Sequence, residues 1–246
     1  MRGSISRRWS PSRSLDPPDG VGQASSSHWS CLQLLLMGAL GAISVALTFL
    51  VRRDGPLYGE VGATRWMRDN TPSIVELFAD LIDPALTDVA APLVFVAIAL
   101  MVWWRWGRYP VFLLGLAGVF TGLTRVGDLV HRPRPTSTVE WSDYSVGSGG
   151  YPSGHAVFAV LVLGTVAVLS RRYSTSRGSK WILRSMQILV GLTLWSRVSR
   201  LEHWPLDVVG GGLMAGVGLV GIVWLHPRLL AFASARPYLR HLLRLH

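Results

Sequence analysis

The sequence is poor in charge, almost without lysine and nearly free of cysteine. Only 15% of its 246 residues are charged while 50% are hydrophobic, and a soluble domain of this size needs a larger charged fraction to cover its surface. A water-soluble globule is therefore excluded. Cys31 stands alone and cannot close an internal disulfide; it opens an apolar run and reads as a small lipid-facing residue. Acidic residues number 14 against 24 basic ones, a formal charge of +10. Nucleic acid is not the expected partner, because the arginines flank apolar segments, where anionic headgroups and topology signals account for them. Lys180 is the only lysine, a bias that points to a GC-rich bacterial genome.

What the chain has in abundance is apolar runs. Cys31 to Val51 carries no charge, and at about 1.5 Å per residue it crosses a hydrocarbon core of roughly 30 Å. Arg52-Arg53-Asp54 follow in place of a small-residue cleavage site, so the run reads as an uncleaved anchor. Five more apolar segments lie near 86–104, 109–130, 155–170, 181–199 and 205–225. The expected fold is thus all-α, a polytopic six-transmembrane-helix bundle spanning 31–228. Residues 1–30, rich in Ser, Pro, Gly and Arg, read as a disordered tail, and 229–246 as a basic one. With six spans both termini share a side. That side collects Arg2, Arg7, Arg8 and Arg13, then Arg105 and Arg108, then the run from Arg171 to Arg184, and finally Arg228, Arg236, Arg240 and Arg244. By the positive-inside bias it is cytoplasmic, in a plasma membrane, despite Arg52, Arg53, Arg65 and Arg68 opposite.

Between the first two spans, Ile74, Leu77, Phe78, Leu81 and Ile82 recur at three- and four-residue intervals. Thr71-Pro72 supplies a cap and a first-turn proline, and Asp83-Pro84 ends the pattern. An amphipathic helix in the outer interface is expected there, either packed on the bundle or admitting lipid.

Three polar clusters stand at the outer mouths of these segments, where such groups are costly unless they act. In Pro152-Ser153-Gly154-His155, the Ser153 hydroxyl can cap a helix whose free first-turn N–H groups attract phosphate. Gly154 allows close backbone approach, and His155 sits beside the anion. His203 and Asp207 are four apart at the start of the last span, so they share a face. A carboxylate accepting one imidazole proton fixes the tautomer and leaves the other nitrogen free to attack. Arg197, and Arg132 with Arg134 in Arg-Pro-Arg-Pro, offer planar forks for the oxygens of a transferring phosphoryl group, although arginines also snorkel at span ends. The loop from Thr136 to Tyr151 is expected to cover the site, with Glu140, Trp141, Asp143 and Tyr144 near a headgroup and Gly147 to Gly150 giving it freedom. The last-span glycines from Gly210 to Gly221 permit close helix approach.

Ser-Arg, five residues, His, three residues, Asp, preceded by Pro-Ser-Gly-His and by Arg-Pro, resembles the type 2 phosphatidic acid phosphatase and vanadium haloperoxidase superfamily. The resemblance covers roughly residues 110 to 225. It implies a membrane lipid phosphatase without cofactor or metal, acting on a lipid phosphate or diphosphate, phospholipid or isoprenoid. By the same resemblance His203 attacks phosphorus, Asp207 orients it, and His155 protonates the leaving oxygen and then helps activate water. Ser153, the Gly154 amide, Arg197 and an arginine of the first motif hold the oxygens.

The first motif departs from the family, which places a lysine seven positions before the arginine of its Arg-Pro pair. With Arg134 as that arginine the position holds Gly127; with Arg132 it holds Arg125. The doubled Arg-Pro favours Arg134, and Arg125 or Arg132 is then the candidate replacement cation. Three other readings stand beside the phosphatase: a haloperoxidase, which six spans disfavour; a metal hydrolase on His155, His203 and Asp207, which would crowd arginines around a cation; and a catalytically weak or inactive lipid-binding relict.

Overall fold

In the computed structural model of the chain, the residues described are 22–52, 56–86, 90–123, 130, 132–136 and 150–243. Their regular structure is helical: α1 (Gly22–Val51), α2 (Glu60–Asp69), α3 (Ser73–Ala85), α4 (Ala90–Trp106), α5 (Arg108–Leu123), α6 (Gly154–Phe158), α7 (Gly164–Tyr173), α8 (Ser176–Ser199), α9 (Pro205–Ser234) and α10 (Pro237–Leu243). A π-helical stretch, Ala159–Leu163, joins α6 to α7 into one rod. Among the described residues three rods are long and apolar enough to cross a membrane: Ser30–Val51, Gly154–Tyr173 and Pro205–Ser234. α4 is a shorter apolar helix, and α8 carries Arg177, Lys180, Arg184 and Arg197 along its length.

Each of the six apolar segments read from the sequence lies on a helix, with shifted ends. α1 already includes 22–30, assigned above to a disordered tail; residues 1–21 lie outside the described ones. The last helix outruns its expected end by more than two turns, passing through Pro227, and α10 then folds back onto the bundle. Leu229, Leu230 and Leu243 pack on Tyr109, Leu113 and Leu169, and the Arg108 guanidinium donates to the Leu242 carbonyl at 3.0 Å. The segment beyond 228 is therefore packed structure through Leu243, a result its leucines explain better than its arginines do.

The interfacial helix exists as α3, but it continues through Pro84 to Ala85. Proline there stands late in the helix, and Leu86 N–H still returns to the Ile82 carbonyl at 3.0 Å. Thr71 does not cap it; its hydroxyl bonds back to Met67 of α2, a second helix not anticipated. α3 turns Val75 and Ala79 to the bundle and leaves Ile74, Leu77 and Leu81 more than half exposed, so its apolar stripe faces outward. Arg200, just past α8, pairs with Asp80 and donates to the Glu76 carbonyl at 3.0 Å, which pins α3 to the end of α8.

The centre is built where α9 meets α5 and the α6–α7 rod, with Ala117, Val157, Leu161, Ala215 and Ile222 all buried. Lipid gives helices no hydrophobic reason to associate, so close packing must hold them, and glycine makes it available. A Cβ on Gly211 would stand 2.7 Å from the Ser153 carbonyl, and one on Gly210 would meet the Tyr151 ring at 2.4 Å. Two backbones thus lie against each other directly beneath the first turn of α6.

Candidate active site

Three backbone devices bring the polar clusters together. α8 ends in a Schellman turn: Leu201 takes the left-handed conformation (φ 59°), Leu201 N–H bonds to the Val198 carbonyl at 3.0 Å, and Glu202 N–H to the Arg197 carbonyl at 3.1 Å. His203 N–H returns to that same carbonyl at 3.1 Å, which ties His203 to Arg197. A leucine in the left-handed region costs about 1 kcal/mol, so the turn is held by what surrounds it. Next, α9 opens on Pro205, and the Asp207 carboxylate accepts the Trp204 N–H at 2.8 Å. Finally, Ser153 caps α6, its hydroxyl facing Ala156 N–H at 3.4 Å, while Ser153 N–H bonds to the Asp207 carbonyl at 3.0 Å. The starts of α6 and α9 therefore sit side by side, with Gly154 exposed above them.

His203 is 4% exposed. Its Nδ1 lies 2.6 Å from the Gly150 carbonyl oxygen, which can only accept, so the ring proton sits on Nδ1 and Nε2 keeps its lone pair. Burial pushes the imidazole down to about 3; the Arg134 charge adds to this, the Gly150 hydrogen bond opposes it, and His155 and Arg197 push the same way. The charges of Arg134, His155 and Arg197 thus act on His203, and all three are among the residues that the sequence assigned to one site.

Two expected roles are altered. Asp207 does not hold the His203 ring: its Oδ2 is 4.0 Å from Nδ1. The carboxylate is taken instead by Trp204 N–H and by the Arg132 guanidinium, because His203 lies before the first turn of α9 and does not share a helix face with Asp207. Arg132, expected among the phosphate ligands, is fully buried, with one fork nitrogen on Asp207 and the other on Glu60. Arg134 is the open one, 44% exposed and paired with Glu202 at 2.7 Å. Arg197 is buried on the last turn of α8. Lys180 sits near the start of α8, some 17 residues or roughly 25 Å along the helix from Arg197, and cannot stand in for the family's lysine. Arg125, Gly127 and the loop residues Glu140, Trp141, Asp143, Tyr144 and Gly147 to Gly149 lie outside the described residues.

Sequence reasoning missed Glu60 and Glu202, and it read Gly150 only as a loop glycine giving freedom. Glu60 is one of several acidic residues in the connection between the first two spans, and nothing local pairs it with Arg132, 72 positions away. Trp204 was passed over as well; it is fully buried, and its indole N–H donates to the Pro133 carbonyl at 3.0 Å, tying the Arg-Pro-Arg-Pro segment to α9.

The PAP2 superfamily pattern matches residues 106–231, more than half of the chain and the stretch in which the three motif clusters lie. The chain belongs to the PAP2 superfamily. Membership makes it a phosphatase, and its long apolar helices make it a membrane one. The fold agrees with a transmembrane PAP2 type phosphatidylglycerolphosphate phosphatase from Bacillus subtilis, known from a crystal structure, at a TM-score of 0.63 and 17% identity over 78% of this chain and 96% of that one. Among curated proteins none matches the chain.

Proposed function

We propose that this PAP2 protein removes phosphate from a lipid phosphate or diphosphate through a phosphohistidine on His203. The observation that carries the reading is the imidazole itself, held through Nδ1 by Gly150 with Nε2 bare, among Arg134, His155 and Arg197. Nε2 attacks phosphorus in line, the P–O bond to the lipid breaks, and the departing oxygen takes a proton from His155. Arg134, Arg197, the Ser153 hydroxyl and the Gly154 N–H spread the charge of the three equatorial oxygens. Water, deprotonated by His155, then cleaves the P–N bond, which releases inorganic phosphate and restores both imidazoles.

The helices α1, α4, α5, α6–α7, α8 and α9 are read as six spans, with the site at the extracytoplasmic face and both termini cytoplasmic; the arginine distribution supports that orientation. Exposed apolar residues on α3, beside the Arg200 anchor, suit an entry for acyl or prenyl chains. The structural relative's name makes phosphatidylglycerol phosphate the first substrate to try, beside phosphatidic acid and isoprenoid phosphates and diphosphates.

The test is phosphate release in detergent over that panel, with and without chelator and orthovanadate. Turnover that vanadate blocks, chelator spares and His203→Ala abolishes supports the proposal. Gly127 in the family's lysine position favours the relict as a second reading, and vanadate binding with no turnover on any substrate would establish it.

A further inference from the structure

Glu60 opens α2, in the connection between the first two apolar helices, and no motif contains it. It is 4% exposed, and both oxygens are committed: Oε2 accepts Leu57 N–H at 2.7 Å and the Arg132 guanidinium, and Oε1 accepts Leu206 N–H at 3.2 Å from the first turn of α9. Arg132 is wholly buried and gives its other fork nitrogen to Asp207. One guanidinium therefore stands between two carboxylates. A phosphate reaching it would be a third anion in a dry pocket, and both terminal nitrogens of Arg132 already serve carboxylates, which leaves only the buried Nε without a partner.

The backbone extends the linkage. The Arg132 carbonyl accepts Gly150 N–H at 2.7 Å, and the Gly150 carbonyl in turn holds His203 Nδ1 at 2.6 Å. Glu60 fixes Arg132, Arg132 fixes Gly150, and Gly150 fixes the tautomer and aim of the imidazole. We propose that Glu60 is a positioning residue: it holds Arg132 against Asp207, away from the phosphate, and through Arg132 and Gly150 it sets the orientation of His203. This rests on the phosphatase reading above. Buried charge clusters can be purely structural, so the test must read something that folding alone does not move.

The experiment uses the full chain in detergent. Glu60→Gln keeps the volume and removes the charge; Glu60→Asp keeps the charge; Arg132→Met removes the cation; Arg197→Met removes a phosphate ligand. Each is measured for thermal midpoint, for kcat and KM on the best lipid phosphate, and for orthovanadate affinity. The expected result for Glu60→Gln is a kcat about tenfold lower, with KM and vanadate affinity within about twofold of wild type, and with partial recovery of kcat in Glu60→Asp. Arg132→Met leaves vanadate affinity within about twofold, whereas Arg197→Met weakens it tenfold or more. An unchanged kcat in Glu60→Gln, whatever its thermal midpoint, overturns the proposal. Vanadate affinity falling as far in Arg132→Met as in Arg197→Met overturns it too, since Arg132 would then be a phosphate ligand. If wild type binds vanadate but releases no phosphate, the phosphatase reading fails, and the vanadate arm still decides whether Arg132 is withheld from the anion. Should Glu60→Gln not fold, Glu60→Asp and Arg132→Met carry the same two comparisons.

Discussion

His203 Nδ1 lies 2.6 Å from the Gly150 carbonyl oxygen and 4.0 Å from Asp207 Oδ2, so a peptide group, not a carboxylate, holds the imidazole. A carbonyl cannot take the proton away, and it keeps the ring in one tautomer at any pH where the ring is neutral. Gly150 is also tightly placed, since a Cβ there would stand 2.8 Å from the Arg132 carbonyl. Gly150→Ala therefore displaces the carbonyl from the ring. Its expected effect is a kcat roughly ten- to a hundredfold lower with vanadate affinity changed less, because the added methyl would touch Arg134 only at its Cγ, 3.6 Å away in ordinary contact. Parallel loss of vanadate binding would show that Gly150 shapes the cradle as well.

Arg134 meets Glu202 at 2.7 Å, with both side chains more than 40% exposed. Such a pair is worth about 0–1 kcal/mol, weak enough for a phosphate dianion to displace, yet Glu202 still repels that dianion. Glu202→Gln is expected to lower KM and tighten vanadate about two- to fivefold, with kcat near wild type. The gain should shrink in high salt, where exposed charges are screened.

Much of this site is legible in the sequence because it follows local rules. The helix starting at Gly154, its Ser153 cap, Pro205 in the first turn of α9 and the apolar lengths of the rods are set by residues within a few positions of one another. What the sequence hides is long-range. Nothing near Glu60 says that it faces Arg132, and nothing near Gly150 distinguishes a buried carbonyl from a loose glycine linker. Asp207 shows the limit most clearly: its spacing to His203 is right, but its partner is decided by an arginine brought in from another segment.

The depressed His203 titration has a consequence for stability. In the folded protein burial, then the Arg134 charge, hold its proton affinity down to about 3, whereas an unfolded histidine titrates near 6.5. Between those values the unfolded chain binds the proton and the folded one does not, so this residue's contribution is constant above about pH 6.5 and is lost as pH falls. The slope is about 1.4 kcal/mol per pH unit for one proton. Wild type should lose thermal midpoint more steeply than His203→Gln from pH 6.5 to 4. Parallel curves for the two proteins would mean that His203 protonates freely in the folded state.

Two neighbouring glycines of α9 separate packing from helix propensity. A Cβ at Gly211 would stand 2.7 Å from the Ser153 carbonyl and 3.1 Å from the Ala156 side chain, whereas at Gly212 it would meet nothing within 4 Å. Alanine is the better helix former by about 1 kcal/mol, so Gly212→Ala should hold or raise the thermal midpoint and leave activity intact. Gly211→Ala gains the same propensity but must push the capped start of α6 off α9, and the atom it meets is backbone, which has no rotamer to yield. Because Ser153 N–H is bonded to the Asp207 carbonyl, that displacement separates Ser153 and Gly154 from His203. Gly211→Ala is therefore expected to cost a few kcal/mol of stability by overpacking and to weaken vanadate binding at least tenfold. Equal behaviour of the two variants would show that α6 and α9 are not in contact at this level, and the shared floor of the phosphate cradle would have to be abandoned.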